Sequence, residues 1–543
     1  VRLVLGYGYR VDEVNVPALT APKASLRLTK TLKSDDQFRP PVLVGMGPVW
    51  LGQCMPHPDP SHAPSLKDSI KRRAGREVPL ADPVWLEEIR LFTRSWCKGN
   101  LTPLAPDSDV SKERWLDNTS YPDWRKKSLL KTWEEGQGVP RKYHRRCKGF
   151  PKDECYEGYN YLRIISARED MSKVDLGAIF KLIEEKVFQH PMFIKKVPVA
   201  DRPAFIKERL MKPGRVPFCT DFTAFESSFV HAVMEAIEWE LYSYMVQHLP
   251  TGADWLKNVK DVLGGVNEIV FKHFKAYMQA VRQSGEMNTS LGNGFANAMV
   301  MLFLCAKNGT SVDMVVEGDD GLASIEGEPP TPEQYARLGF IVKLEKPISF
   351  ARASFCGNVF DEEDLVVVTN PLKVLATAGW TQARYAEAKP SRKMCLLRSK
   401  ALSMAYQYPQ CPIIWKFAQY LLRETKSFEG AWDILREKSV SQWEKERLSE
   451  MLKAPPCFKE PGQRTRQLVA DMYGISPQDQ IKIEQYFDDL VGLAPIDPPV
   501  PFELKKPVWT DYWDRYVVMY EHEDNYRYPA WLNETKTKVG FSR

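Results

Sequence analysis

Three carboxylates stand where short apolar segments end or turn. Asp221 closes residues 216–221 (VPFCTD), whose composition reads as a strand, and Asp319 and Asp320 follow Gly318 between residues 314–317 and 321–325, which read as two strands joined by a turn. Carboxylate oxygens are the hard donors that magnesium prefers, and magnesium keeps coordination positions open for water and phosphate. Two such cations about 4 Å apart, bridged by carboxylates, activate an attacking hydroxyl and neutralise charge on a departing pyrophosphate, which is what nucleotidyl transfer requires. Taken singly, the same residues have plainer readings: Asp221 as the cap of a following helix, and Gly318-Asp319-Asp320 as an ordinary turn.

Between the acidic segments lies residues 284–293 (SGEMNTSLGN), a polar loop that runs into an apolar helix. Small hydrogen-bonding side chains of this kind can recognise a ribose 2′-hydroxyl, the group that separates RNA precursors from DNA precursors. Upstream, residues 141–152 (RKYHRRCKGFPK) interleave six basic residues with Tyr143 and Phe150, as a path along a phosphate backbone requires. A second basic run, Lys71-Arg72-Arg73, reads as solvated surface.

These groups need rigid elements beneath them. From Met171, Leu176, Ile179, Phe180, Ile183 and Val187 recur at helical spacing, with Ser172 and Asp175 resembling a starting cap. A second helix is predicted over 228–249, carrying an apolar stripe that stops at Pro250-Thr251-Gly252. A helix at 293–306, a hairpin at 313–326, a helix near 332–338 and a strand near 340–344 follow, and helical patterns dominate beyond about residue 375. The first hundred residues are proline-rich, which predicts an extended, wrapping segment.

Composition bounds the answer. A chain of 543 residues, 43% hydrophobic and 11% aromatic, can bury a large core and is expected to divide into several domains. Its net charge of +5 is small for that length, so nucleic-acid binding must rest on where the charge sits. Ten scattered cysteines without a CxxC pair argue against a disulfide framework or a zinc ribbon and favour a reducing compartment. The longest apolar run, residues 298–306, falls short of the ~20 residues of a membrane helix, so no transmembrane segment is expected. No signal-peptide pattern is seen, and the opening Val1 reads as a fragment or as a piece of a longer precursor.

The ordered set CTDFTAFESSF (219–229), SGEMNTSLGN (284–293), VEGDDG (316–321), LGFIVKLEKP (338–347) and SFCGN (354–358) resembles motifs A to E of RNA-dependent RNA polymerases from positive-strand RNA viruses. The forms SG-x-x-NTS-x-GN and F-x-x-K-x-EKP are most similar to tombusvirus-like and flavivirus-like enzymes. The resemblance covers roughly residues 140–360 and implies an α+β, right-handed polymerase with fingers, palm and thumb, the palm built on an antiparallel sheet with flanking helices. The implied division is 1–189 for the N-terminal segment and fingers, 190–238 and 284–372 for the palm, 239–283 for inserted fingers, and 373–543 for the thumb and C-terminal segment.

Carried over residue by residue, the resemblance makes Asp221 and Asp319 ligands of two Mg2+ ions, for which Mn2+ can substitute, with Asp320 in support. Ser284, Thr289 and Asn293 belong to the network that selects ribonucleotides, and Gly285 lets that loop move against the RNA template. Glu226 departs from the pattern, since this position usually holds Asp; its extra methylene demands a shifted backbone or different partners. Lys148, Lys152, Arg163 and Arg168 resemble the basic fingers motif along the nucleotide path, where guanidinium forks clamp phosphate oxygens. Their plainer reading is a surface hairpin. Lys346 or Lys343 protonates the departing pyrophosphate, and Phe355 and Cys356 support the primer end, or simply pack a core.

The implied partners are a single-stranded RNA template, nascent RNA, ribonucleoside triphosphates and other viral replication proteins, at a membrane-associated complex in the host cytoplasm. A reverse transcriptase shares the paired carboxylates but is opposed by Thr289 and Asn293; a non-catalytic RNA-binding scaffold is opposed by the intact Asp221, Asp319 and Asp320. The aromatic tail, with Trp509, Tyr512, Trp513, Tyr516, Tyr520, Tyr526, Tyr528 and Trp531, reads either as packing or as a platform that stacks on the first nucleotide.

Overall fold

The computed structural model describes residues 23–30, 44–51, 53, 63–119, 121–136, 141–152, 154, 162–381, 385, 388–427 and 456–505. Arg39-Pro40-Pro41, Asp153, Tyr161 and the aromatic tail lie outside the described residues.

Two sheets organise the first two-thirds of the chain. One has four antiparallel strands in the order Val342–Glu345, Val216–Phe222, Asp320–Glu326, Ser311–Glu317. Pro217 is tolerated in an inner strand because Val342–Glu345 pairs only with residues 219–222, which leaves the proline end an edge on that side. The other sheet has five strands in the order Arg27–Lys30, Phe274–Gln279, Val266–Val270, Arg146–Pro151, Ile164–Arg168, with one parallel pairing between Arg146–Pro151 and Val266–Val270. The fold is therefore mixed helix and sheet, with largely antiparallel sheets.

The Thr289–Asn308 helix is the packing centre of the four-stranded sheet. Leu291, Phe295, Met299, Val300 and Leu304 are fully buried, so it is apolar nearly all round, and Gly309 ends it in the left-handed region at φ 68°. It is the one helix among the described residues long and apolar enough to cross a membrane, and most of that apolar stretch is buried within the protein. The chain's longest apolar run is thus the middle of a core helix.

Three sequence expectations change. The single helix over 228–249 is a 3₁₀ turn at Phe225–Ser228 followed by two helices, His231–Ala236 and Glu238–Val246, broken at Ile237 where φ is −121°. The helix from Asp170 to Val187 forms, but Ser172 does not cap it; its buried hydroxyl donates to the His144 carbonyl. The proline-rich N-terminal part also contains an 18-residue helix, Pro83–Asn100, with Asp82 as a bonded N-cap and Pro83 at its first position. Its Trp85, Ile89 and Cys97 join the main core. Residues nearer the N-terminus do wrap: Trp50 bridges Ile496, Gly45 pairs with Trp380, and Met46 and Trp50 lie in the core of the C-terminal helices.

Candidate active site

The 311–326 hairpin turns through Gly318 and Asp319, with Glu317 and Asp320 as the last paired residues. Gly318 takes φ 63°, which a glycine adopts without strain. Strand Val216–Phe222 runs beside it with Thr220 opposite Gly321, so the next residue, Asp221, comes level with Asp320. A Cβ at Gly321 would press on the Thr220 hydroxyl, so the two strands approach closely because that residue is glycine. The turn is also held from below. Asn297, fully buried in the Thr289–Asn308 helix, donates its amide to the carbonyls of Asp319 at 3.0 Å and Gly318 at 3.4 Å.

Electrostatics mark these carboxylates as a coupled group. Asp320 is open to solvent on one side, but the protein crowded around it, with Asp319, Asp221 and Glu317, pushes its carboxyl up to about 6, against the neighbouring Cys356 thiol. Partial desolvation by the sheet also raises Asp221, although its side chain reaches solvent; Lys343 opposes the shift, while Glu345 and Asp319 add to it. Like charges gathered with partial desolvation are what a bound cation would relieve. Among the described residues no three His, Cys, Asp or Glu side chains converge tightly enough to enclose an ion. An all-oxygen, incomplete set nevertheless fits magnesium, which is commonly held by one or two carboxylates and completed by water and substrate phosphates.

Lys343 lies directly opposite Asp221 across the sheet and pairs with Glu345 at 2.5 Å. Lys346 stands past the end of that strand and is exposed. The structure therefore brings Lys343, and not Lys346, beside the acidic group. Glu317, which the sequence reading passed over, accepts from Arg202 at 2.6 Å and from the Cys356 thiol at 3.7 Å. Cys356 sits at φ 51°, and burial holds its thiol far above the usual range. Phe355 is buried in one cluster with Val315, Leu322, Phe350 and Phe360, as the packing alternative expects.

The 284–293 loop docks on strand Ile164–Arg168. The Ser284 hydroxyl donates to the Ile164 carbonyl at 2.9 Å and accepts from the Ser166 N–H at 3.2 Å, and Gly285 bridges Ala167. A Cβ at Gly285 would strike the Ala167 backbone, so glycine is required by a contact as well as by any motion. Thr289 donates to the Gln283 carbonyl, and Asn293 accepts from Arg282 Nε at 3.1 Å.

Arg282 is the hub beneath this loop. Fully buried, it pairs with Glu238, bonds Glu286 at 3.3 Å and lies 4.5 Å from the centre of the Phe229 ring. Its burial opposes a charge, but the Glu238 and Glu286 carboxylates outweigh that and hold the guanidinium charged. Tyr242 and Asn288 extend the network. A Cβ at Gly292 would collide with both Glu238 and Arg282, which explains the glycine inside this helix. The chain reaches Arg282 through Ala280 and Val281, both at positive φ (52° and 69°). For a β-branched residue this is a strained conformation, and backbone bonds to the Gly265 and Phe229 carbonyls hold it in place.

The basic hairpin divides by face. Lys148 pairs with Ala167 and Phe150 with Ile165, and the Lys152 N–H donates to the Arg163 carbonyl, so Lys148, Phe150, Lys152 and Arg163 share one side. On it, Lys148 and Phe150 are exposed, while Lys152 and Arg163 flank Glu154 at 2.9 and 3.6 Å. Arg168, five residues after Arg163, points to the opposite, buried side. There it donates to Asn267 at 2.8 Å and pairs with Glu286. This corrects its reading as a phosphate clamp: its guanidinium is spent on the network under the 284–293 loop. The signal was in the strand period, because an odd separation reverses the face.

A family profile described as viral RNA dependent RNA polymerase matches residues 174–492, more than half of the chain. The RNA-directed RNA polymerase of Panicum mosaic virus (strain United States/Kansas 109S) is 24% identical over 451 residues, covering 78% of this chain and 41% of its own length. The RNA-directed RNA polymerase of Pothos latent virus (isolate Pigeonpea/India) is 22% identical over 362 residues, covering 61% and 44%. That of Striped jack nervous necrosis virus is 28% identical over a shorter stretch of 186 residues, covering 33% and 18%. The chain spans less than half the length of these curated relatives.

Proposed function

This chain belongs to the viral RNA-dependent RNA polymerase family, and from that premise we propose that it carries out template-directed RNA synthesis, adding ribonucleoside monophosphates to an RNA 3′-hydroxyl with release of pyrophosphate. The single observation that carries the reading is the alignment of Asp221 with the Asp319-Asp320 turn on adjacent antiparallel strands, with their carboxyls coupled. Asp221 and Asp319, supported by Asp320, would hold two Mg2+ ions, or Mn2+ in their place. Bound there, the metal would supply activation of the 3′-hydroxyl and neutralisation of the leaving group.

The chain's own groups do the rest. Asn297 fixes the turn that carries Asp319, and Asn293 and Glu226 face the nucleotide sugar. Lys148, Lys152 and Arg163 attract the triphosphate and the RNA backbone, and Lys343, opposite Asp221 in the sheet, is the proton donor for pyrophosphate. The fingers, palm and thumb division is part of the proposal, and sheet membership supports it. All five strands of one sheet come from 1–189 and 239–283, and all four of the other from 190–238 and 284–372. Action at a membrane-associated replication complex in the host cytoplasm, with other viral replication proteins, completes the reading.

Incorporation of labelled ribonucleotides on a defined single-stranded RNA, primed and unprimed, with Mg2+ or Mn2+, tests it. Synthesis that depends on template and is abolished by Asp319→Ala is expected. A folded chain that binds RNA and extends no primer would replace this reading with the scaffold one.

A further inference from the structure

Arg73 follows the Ala63–Arg72 helix and ends the basic run that reads as solvated surface. It is not free. Its Nε donates to Glu226 Oε1 at 2.7 Å and its Nη2 to Oε2 at 3.1 Å, a bidentate pair between residues 153 apart in sequence. The two side chains keep 21% and 15% exposure, so the pair is largely withdrawn from water.

The backbone beneath Glu226 is fixed independently. Ala224 adopts φ 49°, its carbonyl accepts from both the N–H and the hydroxyl of Ser227, and the Glu226 carbonyl accepts from the Arg282 N–H at 3.2 Å. An aspartate at 226 would be shorter by one carbon–carbon bond, about 1.5 Å. With the backbone pinned, that would take the carboxylate out of hydrogen-bond range of Arg73. The length of Glu226 and the place of Arg73 are therefore matched.

We propose that Arg73 is a positioning residue for sugar selection, holding the Glu226 carboxylate where a ribose 2′-hydroxyl donates to it. The inference rests on the reading of the chain as an RNA polymerase whose Glu226 faces the sugar. Each carboxylate oxygen accepts one N–H from Arg73 and keeps a further lone pair, so the clamp and a hydroxyl are served together. Arg282 ties the two sides of the sugar site: its backbone N–H holds the Glu226 carbonyl, and its Nε holds Asn293. Glu226 thus gains the orientation that a shorter residue would take from its backbone alone.

The test is single-nucleotide incorporation of a ribonucleotide and the matching deoxyribonucleotide on primed RNA. It compares the parent chain with Arg73→Ala, Arg73→Lys, Glu226→Asp and the Arg73→Ala/Glu226→Asp double variant, with kcat and KM resolved separately. Arg73→Ala is expected to lower the ribo-to-deoxyribo ratio of kcat/KM by about tenfold, the scale of one charge-assisted hydrogen bond, through a raised ribonucleotide KM. Arg73→Lys, which keeps a charge but not the fork, should fall between. Glu226→Asp should match Arg73→Ala, and the double variant should be no worse than either, because both break one interaction.

A folded Arg73→Ala variant that keeps the parent's ratio, or effects that multiply in the double variant, overturns the proposal alone. A parent without ribonucleotide preference overturns it together with the reading beneath it. Should Arg73→Ala fail to fold, Glu226→Asp breaks the same pair by length and decides on the same ratio.

Discussion

Arg168 and Arg282 show how far a residue's type falls short of its role. Both are arginines beside the 284–293 loop, and both are committed to buried carboxylates: Arg282 to Glu238 and Glu286, Arg168 to Glu286. Two guanidiniums and two carboxylates balance one another, so the network carries no net charge into the core. Removing one partner strands the rest without water. Arg282→Met is therefore expected to destabilise the fold by about 3–5 kcal/mol, well beyond an exposed arginine such as Arg337, measured by denaturant titration. A loss under about 1 kcal/mol would show that the site is wetter than its burial indicates. Glu226 was legible in sequence as a departure from the motif, but its compensation was not, because Arg73 lies far away in a run that looks like ordinary surface.

At the scale of the element, strand parity sorts the basic hairpin into a surface that can meet RNA and a side that builds the protein. Lys148 and Arg163 share the outer face with Phe150, and Arg168 turns inward. Lys148→Ala and Arg163→Ala are each expected to weaken single-stranded RNA binding and to reduce the magnitude of its salt slope by about 0.7, the share of one phosphate contact. Arg168→Met should leave that slope unchanged while lowering the melting temperature. A reduced slope in folded Arg168→Met would restore that residue to the RNA path. The alternation that separates these residues is present in the sequence. What the sequence lacks is the 284–293 loop, far along the chain, whose Glu286 meets Arg168 and makes that side of the hairpin the inner one.

For the molecule as a whole, His190 sits where its large parts meet. It follows the Asp170–Val187 helix, stacks edge-on with Trp96 of the Pro83–Asn100 helix, and lies beside residues 192 and 193, which bridge the carboxylate-bearing hairpin at Val316. Burial, with Arg209 nearby, lowers its affinity for a proton. An imidazole depressed in the folded state binds more protons when unfolded, so its contribution is intact above the unfolded value of about 6.5 and is lost as pH falls below it. The melting temperature of the parent should drop more between pH 7.5 and 5.5 than that of His190→Gln. Equal drops would mean that His190 titrates freely.

The sequence by itself determined the strands that carry Asp221 and Asp319-Asp320, the polar loop before an apolar helix, and the order of the motifs. These follow from local period and composition, which act over a few neighbouring residues. Tertiary structure decided what distance in sequence conceals. It set Lys343 opposite Asp221 by cross-strand register, broke the 228–249 helix at Ile237, buried Arg168, and brought Arg73 to Glu226. The physical reason is the same in each case. A charged side chain takes its role from the desolvation and partners it meets after folding, and neither is encoded in the residues beside it.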